Sequence, residues 1–259
     1  MRDSTGHNGK ALFQAARFIL GALLLATGVH AHPSPAPDFR ECPQFFLNGS
    51  PPRIANLAQW RPRPLCYEAF AVLHSGVTKT PLLVAERMSR EQLIDAQDEK
   101  RSNRFFADAR LPFADRAQLE DYKGSGFDRG HMAPAANMPS TRAMAQSFSL
   151  ANMVPQAPKN NQRAWAGIEL ATRKYVMRAS GDVYVISGPV FDAKAETIGP
   201  GKVWVPDYLY KLVYDKSTGR AWAHWLENTN EARVSRPISY EELVRRTGIE
   251  FLPGVTARP

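Results

Sequence analysis

Short runs in which apolar and polar positions alternate, bounded by turn residues, predict a series of β-strands along this chain of 259 residues. A turn at Ser75-Gly76 separates the first two runs, and Ser217-Thr218-Gly219 separates the last two as a hairpin turn. The predicted strands are residues 67–74, 82–87, 182–189, 201–205, 208–214 and 221–226.

Helical periodicity is confined to two places. Residues 162–177 carry apolar side chains, including Trp165, Ile168 and Tyr175, at the spacing of one buried helix face. Ser239 with Glu242 three residues later forms a capping box, which predicts a final helix ending before Gly248. Residues 89–126 follow no sustained period and predict loops with short helical pieces.

The order of these elements indicates the fold class. Strands and helices do not alternate as they would in a doubly wound parallel sheet. We therefore expect an α+β fold whose central sheet is mostly antiparallel.

The N-terminal segment has the pattern of a signal peptide. Lys10 and Arg17 precede an apolar run of twelve residues at 18–29, and the sequence Val-His-Ala at 29–31 offers a cleavage site. This predicts an exported protein, periplasmic or secreted, with an uncleaved membrane anchor as the alternative. We assign residues 1–31 to the signal peptide, 32–65 to a proline-rich irregular arm, and 66–259 to one catalytic domain.

Cysteine usage and charge add two weaker expectations. Cys42 and Cys66 are the only cysteines, and an even number in an exported chain favours a disulfide, with two unpaired buried thiols as the alternative. Removing the signal peptide lowers the formal net charge from +8 to +6, because it takes away three basic residues and one acidic residue. This positive excess suits a polyanionic partner but also occurs in proteins that bind none.

The sequence Asp128-Arg129-Gly130-His131 contains the first candidate chemistry. A neutral imidazole can accept a proton from water, and a neighbouring guanidinium can balance charge on a phosphate. The alternative is that His131 is a packing residue.

A second candidate set lies in the segment that begins at Ala151, twenty residues after His131. Asn161 lies where a proline-rich loop enters the predicted helix, and Glu169 follows about two turns later. An amide oxygen suits Mg²⁺, which commonly keeps several waters and few protein ligands. Taken singly, Asn161 could be a helix cap and Glu169 a solvated surface charge.

Together these segments resemble a known family. The motif DRGH, followed by ANMVPQAPKNNQRAWAGIE at this spacing, is similar to the DNA/RNA non-specific endonucleases. The resemblance covers about residues 101–169 well and the later strands more loosely. It implies a central antiparallel sheet flanked by helices, with the active site on a ββα-metal finger.

The resemblance also implies roles for individual residues. By position in the motif, His131 corresponds to the general base and Asn161 to the direct magnesium ligand. Glu169 corresponds to the residue that holds a water of the metal ion, and Arg129 to the partner of the scissile phosphate.

Three further residues are carried over from the family with less direct roles. Arg104 is aligned with a second arginine near the phosphate. Asn152 matches a supporting asparagine, and Asp128 is expected to orient the loop.

The resemblance implies a sugar-non-specific endonuclease that cuts DNA and RNA to 5′-phosphate ends with Mg²⁺, for which Mn²⁺ is an alternative ion. One rival is a catalytically silent nucleic-acid-binding protein of the cell surface. The other is a metal-dependent phosphodiesterase for a smaller substrate. The sequence does not determine the oligomeric state.

Overall fold

The computed structural model of the protein describes residues 38–258, so the predicted signal peptide lies outside the described part of the chain. Among these residues, no helix combines the length and the apolar character needed to cross a bilayer. The strands are β1 Arg53–Ile54, β2 Pro62–Cys66, β3 Ala71–Ser75, β4 Pro81–Met88, β5 Asp128–His131, β6 Met153–Gln156, β7 Val183–Val190, β8 Thr197–Ile198, β9 Val203–Trp204, β10 Tyr208–Asp215, β11 Arg220–Glu227 and β12 Ile249–Glu250. The α-helices are α1 Arg90–Asp95, α2 Leu119–Tyr122, α3 Thr141–Ser147, α4 Ala166–Val176 and α5 Tyr240–Thr247.

A six-stranded sheet forms the centre of the fold, in the order β11-β10-β7-β4-β3-β2. Each neighbouring pair in it is antiparallel. This confirms the predicted α+β class with an antiparallel sheet. The four longest strands, β4, β7, β10 and β11, match the predicted ones to within one residue at either end.

Both faces of this sheet are covered by apolar side chains. Along β3, Ala71 and Leu73 belong to the core on one face, and Val72 belongs to the core on the other. The second core also receives Trp165 and Ile168, from the helical segment predicted at residues 162–177. That segment therefore packs against the sheet, as its periodicity predicts.

The arm predicted to be irregular contains regular structure. Its last residues form β2, which pairs with β3 at the edge of the sheet, and Arg53–Ile54 pairs with β12 near the C-terminus. Pro62 and Pro64 lie in β2, and an edge strand tolerates proline because its outer side needs no hydrogen-bond donor. Proline content alone therefore misidentified an edge strand as a loop.

The predicted strand at residues 201–205 is shorter than expected and lies outside the central sheet. Only Val203–Trp204 is extended, and it pairs with Thr197–Ile198 in a separate two-stranded sheet. The backbone N–H of Gly201 instead donates to the Asp121 carboxylate, and Lys202, at a φ of 57°, is not extended, so the strand begins only at Val203.

Cys42 and Cys66 form a disulfide with their Cα atoms 5.8 Å apart. Phe45 and Phe46, which follow Cys42, are buried in the core on one face of the sheet. The bridge therefore ties this buried segment to the edge strand β2.

Replacing both cysteines with alanine should lower the free energy of unfolding by about 3 to 4 kcal/mol, because a closed loop of this length restricts the unfolded chain. Chemical denaturation of the oxidised parent and the double variant would measure the difference. Mass spectrometry of the parent should show no free thiol. Two free thiols in the folded protein would contradict the bridge.

Candidate active site

The candidate site is built on two short strands and one helix. Strands β5 and β6 pair antiparallel, with Asp128 opposite Gln156 and His131 opposite Met153. A π-helical segment, Asn160–Trp165, follows β6 and continues directly into α4. This ββα unit carries both motifs singled out from the sequence.

The glycine of the DRGH motif is required by the close packing of β5 on β6. A Cβ at Gly130 would lie 2.0 Å from Gln156 Oε1, so no other residue fits without displacing that side chain. Gln156 in turn donates to the Asn160 side chain at 2.7 Å. The two strands and the start of the π-helical segment are thus locked together.

Four of the predicted site residues line one cavity of about 230 Å³. Arg129 and His131 reach it from β5, and Asn161 and Glu169 from the helical segment. Two arginines that the sequence interpretation did not include, Arg101 and Arg173, complete its polar lining. Among the described histidines, 74, 131 and 224, only His131 lines this cavity.

His131 is held in an apolar setting. Its ring lies edge-on to Phe148 at 5.0 Å and tilted to Phe105 at 5.9 Å between ring centroids. Burial, with a smaller contribution from the Arg101 guanidinium, lowers the pKa of His131 to about 3. The imidazole is therefore neutral at neutral pH and able to accept a proton.

Asn161 is oriented by Asp128. Its amide nitrogen donates to Asp128 Oδ2 at 2.9 Å, and the Gln162 amide donates to the same oxygen at 2.9 Å. Within residues 38–258 the side-chain oxygen of Asn161 accepts no hydrogen bond. The Asp128 carboxylate therefore holds the amide nitrogen of Asn161 and leaves the amide oxygen available to a ligand.

Glu169 is half-buried on α4. Burial raises its pKa, and the positive charges of Lys211, Arg173 and Arg101 oppose that rise. Lys211 is itself fully buried, donates to Ser187 Oγ at 2.6 Å and lies 5.0 Å from the Trp165 ring centroid. Burial lowers the pKa of Lys211, and the carboxyl groups of Glu86 and Glu169 oppose that fall, so the three groups are electrostatically linked.

Two further predicted residues, Asn152 and Arg104, do not line the cavity. Asn152 is fully buried. Its side-chain oxygen accepts from the backbone N–H of Ala133, and its amide nitrogen donates to the carbonyl oxygens of Ala133 and Ser147. It supports the loop that follows His131. Arg104 does not line the cavity, whereas Arg101, three residues earlier, does.

Sequence signals for the two missed arginines exist but are weak. Arg173 follows Glu169 by four residues, so the two share a helix face. Arg101 lies in a polar stretch without helical or strand periodicity, so its position in the sequence does not predict which way its side chain points.

Comparison with known proteins identifies the family. The model of the DNA/RNA non-specific endonuclease family matches residues 53–258. The chain belongs to this family. The match begins inside the segment predicted as the arm, consistent with the strands found there.

Several proteins similar to this chain are named as nucleases. Human mitochondrial endonuclease G is 33% identical over 79% of this chain and 73% of its own length. Mitochondrial nuclease EXOG of Xenopus laevis is 38% identical over 59% of this chain, and the human EXOG is 34% identical over 73%. The chain spans about half the length of these two EXOG proteins, 45% and 56% respectively.

A solved structure shares the fold of this endonuclease family member. The crystal structure titled as the EndoG/EndoGI complex, on the mechanism of EndoG inhibition, aligns with a TM-score of 0.68 and 26% identity. The alignment covers 74% of this chain and 86% of that chain. The relatives and this structure support the predicted class of metal-dependent endonuclease.

The predicted location requires correction. The relatives whose names state a location are called mitochondrial, including Nuclease 1 of Schizosaccharomyces pombe. The prediction of an exported, periplasmic or secreted protein is therefore wrong. It relied on residues 1–31, which lie outside the described part of the chain.

The buried setting of His131 can be tested by nuclear magnetic resonance of histidine-labelled protein without metal. Because its folded-state pKa lies below the ordinary 6.5, the imidazole should stay neutral as the pH falls from 7 to about 5. Loss of the signal in His131→Ala would assign the resonance. A titration midpoint near 6.5 would contradict the buried, neutral imidazole.

Proposed function

We propose that this protein is a magnesium-dependent endonuclease that hydrolyses phosphodiester bonds of both DNA and RNA with little sequence preference and leaves 5′-phosphate ends. The observation that carries the proposal is the convergence of His131, Asn161, Glu169 and Arg129 on one cavity. These groups would act on the phosphate backbone rather than on base edges, which favours tolerance of sequence and of the 2′-hydroxyl.

The residues present fit a divalent cation. The free amide oxygen of Asn161 is a hard donor held in one orientation by Asp128. Among residues 38–258, no cluster of three or more histidine, cysteine or carboxylate side chains could hold a metal ion. A site with one protein ligand and several waters suits Mg²⁺, with Mn²⁺ as an alternative ion.

In this mechanism His131 takes a proton from the attacking water. A base of such low pKa is intrinsically weak, but a bound phosphate brings negative charge beside the imidazole and raises its pKa. The contacts with Phe105 and Phe148 fix the ring, so little reorientation is needed when the proton moves.

Arg129 and Arg101 would bind the scissile phosphate from two sides. The Arg129 guanidinium lies 4.0 Å from the Phe105 ring centroid, and that of Arg101 lies 5.0 Å from the Phe148 centroid. Stacking on an aromatic ring restricts a flexible side chain and leaves its N–H groups for the phosphate. A bound divalent cation would add positive charge that stabilises the transition state and the leaving oxygen.

The two rival functions make different demands on the site. A silent binding protein has no need of a neutral buried imidazole beside an oriented amide oxygen. A phosphodiesterase for small molecules needs only a cavity the size of its substrate, here about 230 Å³, and no cationic side chains outside that cavity. Comparison of plasmid DNA, RNA and a small diester as substrates separates the three functions.

Removal of divalent cations should abolish activity, because the site would then lack the charge that stabilises the transition state. We expect the purified protein to degrade plasmid DNA and RNA in Mg²⁺, to stop in EDTA, and to resume when Mg²⁺ is restored. Gel electrophoresis of the products would show this, and ligation would test for 5′-phosphate ends. Undiminished cleavage in EDTA would remove the metal from the mechanism.

Replacing His131 and Asn161 separately should distinguish the base from the metal ligand. His131→Ala should reduce kcat by about 10² to 10⁴, the factor commonly supplied by proton transfer, while still binding the metal. Asn161→Ala should lose both turnover and metal binding, which calorimetry with Mg²⁺ or Mn²⁺ would measure. Circular dichroism would establish that both variants fold. A folded His131→Ala protein that cleaves plasmid at the parental rate would refute the role of the imidazole.

A further inference from the structure

A second cavity, of about 610 Å³, adjoins the candidate active site. Arg101, Ala135, Ala136 and Arg173 line both cavities, so the two lie side by side. We call the larger cavity the α4 groove. One of its walls is formed by Leu170 and Lys174 of α4 and by Met177, which directly follows the helix. None of the residues assigned a catalytic or metal-binding role reaches it, apart from the shared Arg101.

Four cationic side chains line the α4 groove: Arg101, Arg173, Lys174 and Arg178. Within residues 38–258 none of the four forms an ion pair with a carboxylate. Glu99 is the one acidic side chain in the lining. Unpaired cations that converge on a groove attract an anion, and their number suits several phosphates better than one.

The floor of the α4 groove is apolar. Leu93 and Met144 are buried beneath it, while Leu170 is 47% exposed on its wall. Apolar side chains beside cations suit an unpaired nucleotide, whose base has a flat face and whose phosphate has a charge. In a duplex the base faces are stacked on one another and cannot contact such a floor.

From this arrangement we infer that the α4 groove binds a single-stranded segment of nucleic acid adjoining the scissile phosphate, with its phosphates on Lys174 and Arg178 and a base against Leu170. This inference rests on the proposed function, since it extends the same substrate beyond the site of cleavage. The volume suffices for one or two nucleotides, because ligand cavities for small molecules commonly measure 300 to about 1,000 Å³.

The test compares three exposed-surface variants of the full chain. Lys174→Ala with Arg178→Ala removes two groove cations, and Leu170→Ser removes the apolar wall. Lys194→Ala with Lys216→Ala is the matched control, since both lysines are exposed and line neither cavity. Fluorescence anisotropy in a His131→Ala background would give Kd for a single-stranded oligonucleotide and for a duplex of equal length, at several salt concentrations. Cleavage of plasmid in Mg²⁺ is measured on the parent.

The groove double variant should bind the single strand about tenfold more weakly than the control, for two lost surface contacts to phosphate. Its log-log slope of affinity against salt should fall by about 1.4, since each phosphate contact contributes about 0.7 on single strands. Leu170→Ser should weaken binding of the single strand without changing that slope. Binding of the duplex should change less in each case.

Equal Kd values and salt slopes in the groove and control variants would overturn the inference. Equal loss on single strand and duplex would also overturn it and would assign the groove to a duplex. A parent that cleaves nothing, but whose groove variants still lose single-strand binding, would refute the proposed endonuclease and leave the groove as a binding site. If instead the parent cleaves plasmid and the groove variants bind as the control does, the proposed endonuclease would stand and the inference about the groove would be refuted.

Discussion

The pairing of β5 with β6 is the constraint on which the candidate site depends. It holds Asp128 opposite Gln156, and Asn161 follows Gln156 by only five positions in the sequence. The absence of a side chain at Gly130 lets the Gln156 side chain pack against the strand, and Gln156 then holds Asn160. Asp128 can therefore accept from Asn161 and leave the amide oxygen free for a cation. Any slip in this register would separate the carboxylate from the amide it orients.

The charges around the cavity are arranged for a bound anion. Arg129 and Arg101 stack on the two phenylalanines that also enclose His131, so the same aromatic side chains position the cations and desolvate the base. Burial keeps the imidazole neutral, and the arginines supply the positive charge that a phosphate requires. The buried Lys211 opposes the rise in the pKa of Glu169 that burial causes. In the proposed mechanism, proton transfer by His131 and charge stabilisation by the arginines would thus fall to different side chains.

Sequence patterns predicted those elements in which the residues favour a strand or helix and are also buried in the fold. The strands β7, β10 and β11 have long runs of apolar and β-branched or aromatic residues, and their predicted bounds are close to the observed ones. The segment 32–65 was harder, because prolines mark both loops and edge strands, and only pairing with β3 distinguishes them. The family resemblance, carried by the DRGH motif and its distant partner sequence, is confirmed by the family match.

By itself the sequence determined the fold class, the family, and which residues of the two motifs to examine, since these depend on local patterns and fixed spacing. The tertiary structure placed Arg101, rather than the predicted Arg104, at the cavity, because in this aperiodic stretch only packing on the Phe148 ring gives the side chain its direction. It also decided that Asp128 orients Asn161, a contact across 33 residues. The groove beside α4 depends on segments distant in sequence, and no local pattern encodes their meeting.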